Sequence, residues 1–94
     1  MREPVVHSSG NVFVDLGYST DEAAILQMRA DLMADVRKFI KAKRLTQAKA
    51  AEILGVSQSR VSDLIRGKWE RFSLEMLITL ATKAGIRVSL KRAA

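Results

Sequence analysis

The chain has no cysteine among its 94 residues, which excludes disulfides, a thiol nucleophile and a thiolate metal site and suits a reducing compartment. His7 is the single histidine, so a histidine-based metal site or catalytic triad has almost nothing to build on. The ten carboxylates fall in no metal-ligand spacing, and no glycine-rich phosphate loop occurs. No apolar run reaches the roughly 18 residues that a membrane helix needs, and residues 1–10, MREPVVHSSG, lack the apolar stretch of a signal peptide. A non-enzymatic, soluble, cytoplasmic protein without metal or cofactor is expected. The length suits one domain with a small core.

Charge is present in quantity and unevenly placed. The formal net charge is +6. Residues 1–28 carry one basic and four acidic side chains, whereas residues 29–94 carry fifteen basic and six acidic ones. A basic segment of this kind is the electrostatic footprint of a protein that meets phosphates, although Lys and Arg can also serve only to solubilise a small domain.

The stretch Leu45 to Trp69, LTQAKAAEILGVSQSRVSDLIRGKW, decides between these. Apolar residues at Leu45, Ala48, Ala51, Ile53 and Leu54, then at Val56, Val61, Leu64 and Ile65, follow the intervals of two helices with one buried face each. Gly55 stands where the first must end, since a left-handed residue costs least without a Cβ. Ser57 is an N-cap for the second, and small Ala51 permits a close crossing. Two helices joined by a tight corner, with a polar outer face on the second, make a helix-turn-helix over about residues 46–66.

The remainder frames that unit. Residues 1–10 are expected to be disordered. In NVFVDLGY, Val12, Val14 and Leu16 alternate with Asn11, Phe13 and Asp15, giving either a short strand or an extended arm within residues 1–18. Ser19 and Glu22 have capping-box spacing, with Asp21 and Glu22 in the first turn of a long helix to about Lys43. Ile25, Leu26, Leu32, Met33, Val36, Phe39 and Ile40 form its apolar stripe, and Arg37, Lys38, Lys41, Lys43 and Arg44 crowd its C-terminal end. Such a helix spans roughly 36 Å, more than the domain requires. Its first half, with Ile25, Leu26, Met28 and Met33, either packs on a partner or is covered by the preceding arm. Ser73 caps a further helix with Leu74, Leu77, Ile78 and Ala81 inward and Gly85 at its end. In residues 86–94, Ile86, Val88 and Leu90 alternate with polar residues as in a strand, which needs a pairing partner. The expected fold is mainly all-α: a bundle of four to five helices over residues 19–85, with a long N-terminal helix and a short C-terminal strand.

Chemically, the second motif helix presents Gln58, Ser59, Ser62 and Asp63 opposite Val61, Leu64 and Ile65. Its N-terminal residues belong at base edges in the major groove. Gln58 can pair bidentately with adenine, Ser59 and Ser62 can donate or accept, and Arg60 can reach guanine or phosphate. Asp63 is expected at the margin, paired with Arg60 or Arg66 or accepting from a cytosine amine. Gln47 and Ser57, at helix starts, are placed to bond phosphate, with Arg44, Lys49, Arg66, Lys68 and Arg71 as further phosphate ligands. Trp69 is expected to pack on the helices rather than touch the sugar-phosphate backbone. The four methionines are read as core or interface filler.

Leu45-Thr46-Gln47, Ala50-Ala51, Leu54-Gly55-Val56, Ser57-Gln58, Val61-Ser62-Asp63-Leu64 and Arg66-Gly67-Lys68 resemble the Cro-type (XRE) helix-turn-helix family of phage and bacterial repressors, with its lambda repressor-like bundle. The resemblance covers about residues 30–85. It implies that Gln47 contacts phosphate and Gln58 reads adenine. The arm GNVFVDLG, the helix containing Ala23-Ala24, and FSLEMLITLATKAGIRVSL are similar to a narrower group that includes HigA-type antitoxins, encoded beside a RelE/HigB-like toxin. This implies a bacterial, nucleoid-associated protein that binds a toxin and represses its own operon, usually as a dimer.

A single motif reads about four to six base pairs, so two copies about 34 Å apart on an inverted-repeat operator are expected. The dimer or partner surface is expected at Ile25, Leu26 and Met28 or at Ile86, Val88 and Leu90. The alternative is a protein-interaction module that neutralises a toxin with little specific DNA binding.

Overall fold

The structure, a computed structural model, describes residues 11–90. The expectations for residues 1–10, His7 included, and for residues 91–94 fall outside this range. Five α-helices occur among the described residues: α1 (Val12–Asp15), α2 (Thr20–Ala42), α3 (Gln47–Leu54), α4 (Gln58–Ile65) and α5 (Leu74–Lys83). A 3₁₀ turn, Trp69–Arg71, joins α4 to α5.

Each of the four longer helices starts at a hydroxyl. Ser19, Thr46, Ser57 and Ser73 accept from the N–H of Glu22, Lys49, Arg60 and Met76, so that one orphan donor of each first turn is satisfied. At α2 the Ser19 hydroxyl also donates to the Asp21 carboxylate, 2.8 Å away. That bond, ahead of the N–H groups of Asp21 and Glu22, holds the Asp21 carboxyl below its ordinary pKa.

The helix ends share a chain reversal. Gly55 sits in left-handed conformation with φ 70°, and the Val56 N–H reaches back to the Ala51 carbonyl at 3.1 Å. The same closure ends α2, where Leu45 N–H bonds Ile40 O at 3.1 Å, but the left-handed residue there is Arg44 with φ 54°. Arg44 is the one non-glycine residue at positive φ among those described.

One hydrophobic cluster ties the helices together. Met33, Val36 and Ile40 of α2 meet Ala50, Ala51 and Leu54 of α3, Val61 and Leu64 of α4, Phe72, and Leu77, Leu80 and Ala81 of α5. Two alanines in succession on α3 let α4 approach closely, as expected for Ala51; Ala48, expected inward, is exposed because Ala50 takes the inner position.

Two segments differ from expectation. Residues 12–15 are helical, neither strand nor extended arm. Asn11 caps this turn by accepting from the Phe13 N–H, while its Nδ2 donates to the Ala23 carbonyl at 3.1 Å. Residues 86–90 form no strand. Ile86 closes the end of α5 by donating to Ala81 O at 2.9 Å and packs on the core, which removes the inward residue that a ladder would need.

Candidate nucleic-acid interface

α4 is amphipathic by burial. Val61 is fully buried and Leu64 is 1% exposed, whereas Gln58 and Ser59 are exposed and Ser62 and Asp63 partly so. At 100° per residue, the direction opposite Val61 and Leu64 falls between Ser59 and Ser62, so a convex polar face points away from the core. Its N-terminal end is pinned by the Ser57 hydroxyl, which accepts from Arg60 N–H at 3.1 Å and keeps its own hydrogen free to donate. Gln47 opens α3 and is exposed, directly after Thr46, whose side chain serves Lys49 N–H.

Not every candidate projects outward. The Arg60 guanidinium donates to the Arg71 carbonyl at 3.0 Å and lies 5.4 Å from the centre of the Phe72 ring. Reaching guanine would require Arg60 to give up both contacts. Asp63 pairs with Arg71, Oδ2 to Nη1 at 3.5 Å, and not with Arg60 or Arg66 as expected. Arg71 is thereby drawn along α4, because the 3₁₀ turn folds back beside that helix. The pair is a surface one, worth about 0–1 kcal/mol. Lys49 leans on Glu52 at 3.4 Å, while Arg44, Arg66 and Lys68 form no ion pair among the described residues.

The loop after α4 is held by a residue that sequence reasoning missed. Arg29 of α2 donates to the carbonyls of Phe72 at 2.9 Å and Trp69 at 3.0 Å, and its guanidinium stacks 5.3 Å from the Trp69 ring. Phe13 meets the same indole edge-on at 6.0 Å. Trp69 therefore packs on the helices as expected. An arginine forty residues away from the loop offers no local signal of this role.

Of the residues expected at a dimer or partner surface, Ile25 and Met28 are exposed at 47% and 44%, and Val88 and Leu90 are exposed. Leu26 is buried because α1 packs on α2, Met33 lies in the core cluster, and Ile86 is half-buried against that cluster. The described residues hold no group of three or more His, Cys, Asp or Glu side chains that could bind a metal, and no helix long and apolar enough to cross a membrane.

Residues 12–91 match a family described as a helix-turn-helix domain. The chain is also similar to a solved structure assigned to the XRE family of transcriptional regulators, at 34% identity and a TM-score of 0.72, over 78% of this chain and 82% of the other. No curated protein matches.

Proposed function

Because the chain belongs to the XRE family of helix-turn-helix transcriptional regulators, we propose that it is a sequence-specific double-stranded DNA-binding repressor that reads the major groove with α4. The observation that carries this is the exposed polar edge Gln58–Ser59–Ser62 on a helix whose other side is locked into the core. Rigid backing of this kind fixes where the amide and hydroxyls meet base edges. Gln58 pairs with adenine, Ser59 and Ser62 supply adaptable contacts, and Asp63 with Arg71 marks the edge of the reading face. Gln47, Ser57, Arg44, Lys49, Arg66 and Lys68 meet the phosphates that set the register. Two copies on an inverted repeat supply the specificity that one α4 cannot.

The decisive experiment is fluorescence anisotropy of duplex DNA from upstream of the gene, titrated at several salt concentrations against a random competitor. Two protomers per site and a large advantage over random DNA are expected. Gln58→Ala should remove about 1–3 kcal/mol of discrimination at one base position. Equal affinity of the wild type for both duplexes would sink the proposal.

A toxin-neutralising role alongside repression is favoured by a separate observation. Val12, Val14, Leu16, Ile25 and Met28 are exposed, and residues 11–28 contain three carboxylates and no cation. An apolar surface with acidic neighbours suits a basic partner, as an RNA-cleaving toxin of the RelE/HigB kind would be. Co-purification with the product of the adjacent gene, lost on Ile25→Asp, tests it; an unchanged yield with that variant would remove this surface from consideration.

A further inference from the structure

Between the C-terminal half of α2 and the end of α4 lies an open cleft of about 680 Å³ whose polar lining is wholly cationic: Arg37, Lys38, Lys41 and Arg44. Ile40, Leu45 and Ile65 form its apolar floor. We propose that this cleft is a second phosphate track, which grips the sugar-phosphate backbone of the same duplex that α4 enters. It rests on the DNA-binding function proposed above and adds a sequence-independent contact that carries the footprint beyond the base-reading helix.

Four observations converge on this occupant. First, the cations are uncompensated. The ion pairs among the described residues are Lys49–Glu52 and Asp63–Arg71, and no carboxylate lines the cleft. Three like charges on one helix face, with Arg44 in the turn beyond it, repel one another, and a polyanion relieves that repulsion. Second, the helix dipole does not account for them. Its effect fades beyond the last turn, and Arg37 and Lys38 lie more than one turn from the end of α2 at Ala42.

Third, the stripe has a direction. Ala34, Arg37, Lys38 and Lys41 recur at i, i+3, i+4 and i+7, so they share one face, and Arg44 extends it toward Leu45 and Gln47 at the start of α3. Arg37 to Lys41 covers about 6 Å of helix, close to the roughly 7 Å axial span of three successive phosphates on one strand, and Arg44 lies beyond it in the turn. Fourth, the track adjoins the reading helix. Gln58, Ser62 and Ile65 fall on one edge of α4 at i, i+4 and i+7, and Ile65 lines the cleft. On the far side, Arg37 Nη1 lies 3.5 Å from where a Cβ on Gly67 would stand, beside Arg66 and Lys68. The cationic surface is therefore continuous from the α2 stripe to the loop after α4.

The test uses the full chain and the variant R37Q/K38Q/K41Q, which keeps most of each apolar stem while removing three charges. Arg44 is left intact because its left-handed backbone would confuse stability with binding. Log K against log salt is measured on the upstream duplex and on a random duplex, each with long and with trimmed flanks. The slope should fall by about 2–3 units, near 0.9 per phosphate contact, on both long duplexes, with the preference between them unchanged. Trimming the flanks should cost the wild type the same slope and leave the variant unaffected.

An unchanged slope on the long duplexes would overturn the proposal. So would competition of inorganic phosphate for the wild type at concentrations that leave the variant unaffected, which would assign the cleft to a small anion. If the triple variant melts early, Lys41→Gln alone should lose about 0.9 unit. Absence of any preference for the upstream duplex would sink the repressor function, yet the slope on random DNA would still decide the cleft.

Discussion

Along residues 11–28 the exposed side chains include Val12, Val14, Leu16, Ile25 and Met28, and every charge is negative. Along residues 37–72 the large apolar side chains are buried or half-buried except Ile53 and Ile65, and ten cations face three carboxylates. The two regions share one helix, since α2 begins in the first and ends in the second. The difference teaches that the core of this protein was built to hold α4 still. The N-terminal region instead adds a cap, in which Phe13, edge-on to Tyr18, meets Trp69 of the loop that follows α4.

The comparison breaks if burial does not predict stability. Leu64→Ala, in α4, should cost about 2–5 kcal/mol through lost burial and a residual cavity, seen as a lower urea midpoint. Val14→Ala, on exposed α1, should stay within about 0.5 kcal/mol. Comparable losses for the two would mean that α1 is as much a part of the core as α4.

Arg29 is where the two regions are joined, and it sharpens the contrast. Arg29→Met keeps the stem but removes two charged hydrogen bonds to carbonyls, at an expected cost of about 1.5–3 kcal/mol. Faster amide exchange at residues 69–72 should accompany it. Unaltered exchange would show that Arg60 and Asp63 hold the loop by themselves.

In binding, the contrast is one of sign. Lys68→Ala should weaken operator and random DNA alike and lower the salt slope by about one unit. Asp15→Ala, in the acidic region, should leave the slope unchanged. The smallest effect is expected at the boundary between the two helices α2 and α3. Arg44→Gly relieves a left-handed side chain and should raise stability by up to about 1 kcal/mol, against which the greater freedom of glycine in the unfolded chain subtracts. A lower midpoint for Arg44→Gly would mean that the arginine side chain itself stabilises the turn.

The helix-turn-helix was legible because its determinants are local. Gly55, Ser57, Ala51 and the spacing of Val61 and Leu64 each act within a few residues of where they stand. The long helix was legible for the same reason, from the Ser19 cap to its end near Lys43, though not the left-handed Arg44 that follows. What escaped was set by distant partners. The alternation of Val12, Val14 and Leu16 has strand period, yet the backbone curls because Asn11 bonds Phe13 N–H and the Ala23 carbonyl. The alternation from Ile86 to Leu90 fails likewise, with Ile86 turned inward to seal α5. In the candidate site, the types of residue on α4 could be read off, but not the partners of Arg60 and Asp63. Both are engaged by a 3₁₀ turn whose path depends on Arg29.

Trp69 gives this arrangement an optical handle. It is the single tryptophan of the chain, with a guanidinium on its face and a phenyl edge against it, in the loop that braces α4. Indole emission responds to the field and the water around the ring. A single intrinsic indole thus lies between the N-terminal region and α4. Its colour and intensity will register a disturbance from either side, without any label attached to the protein.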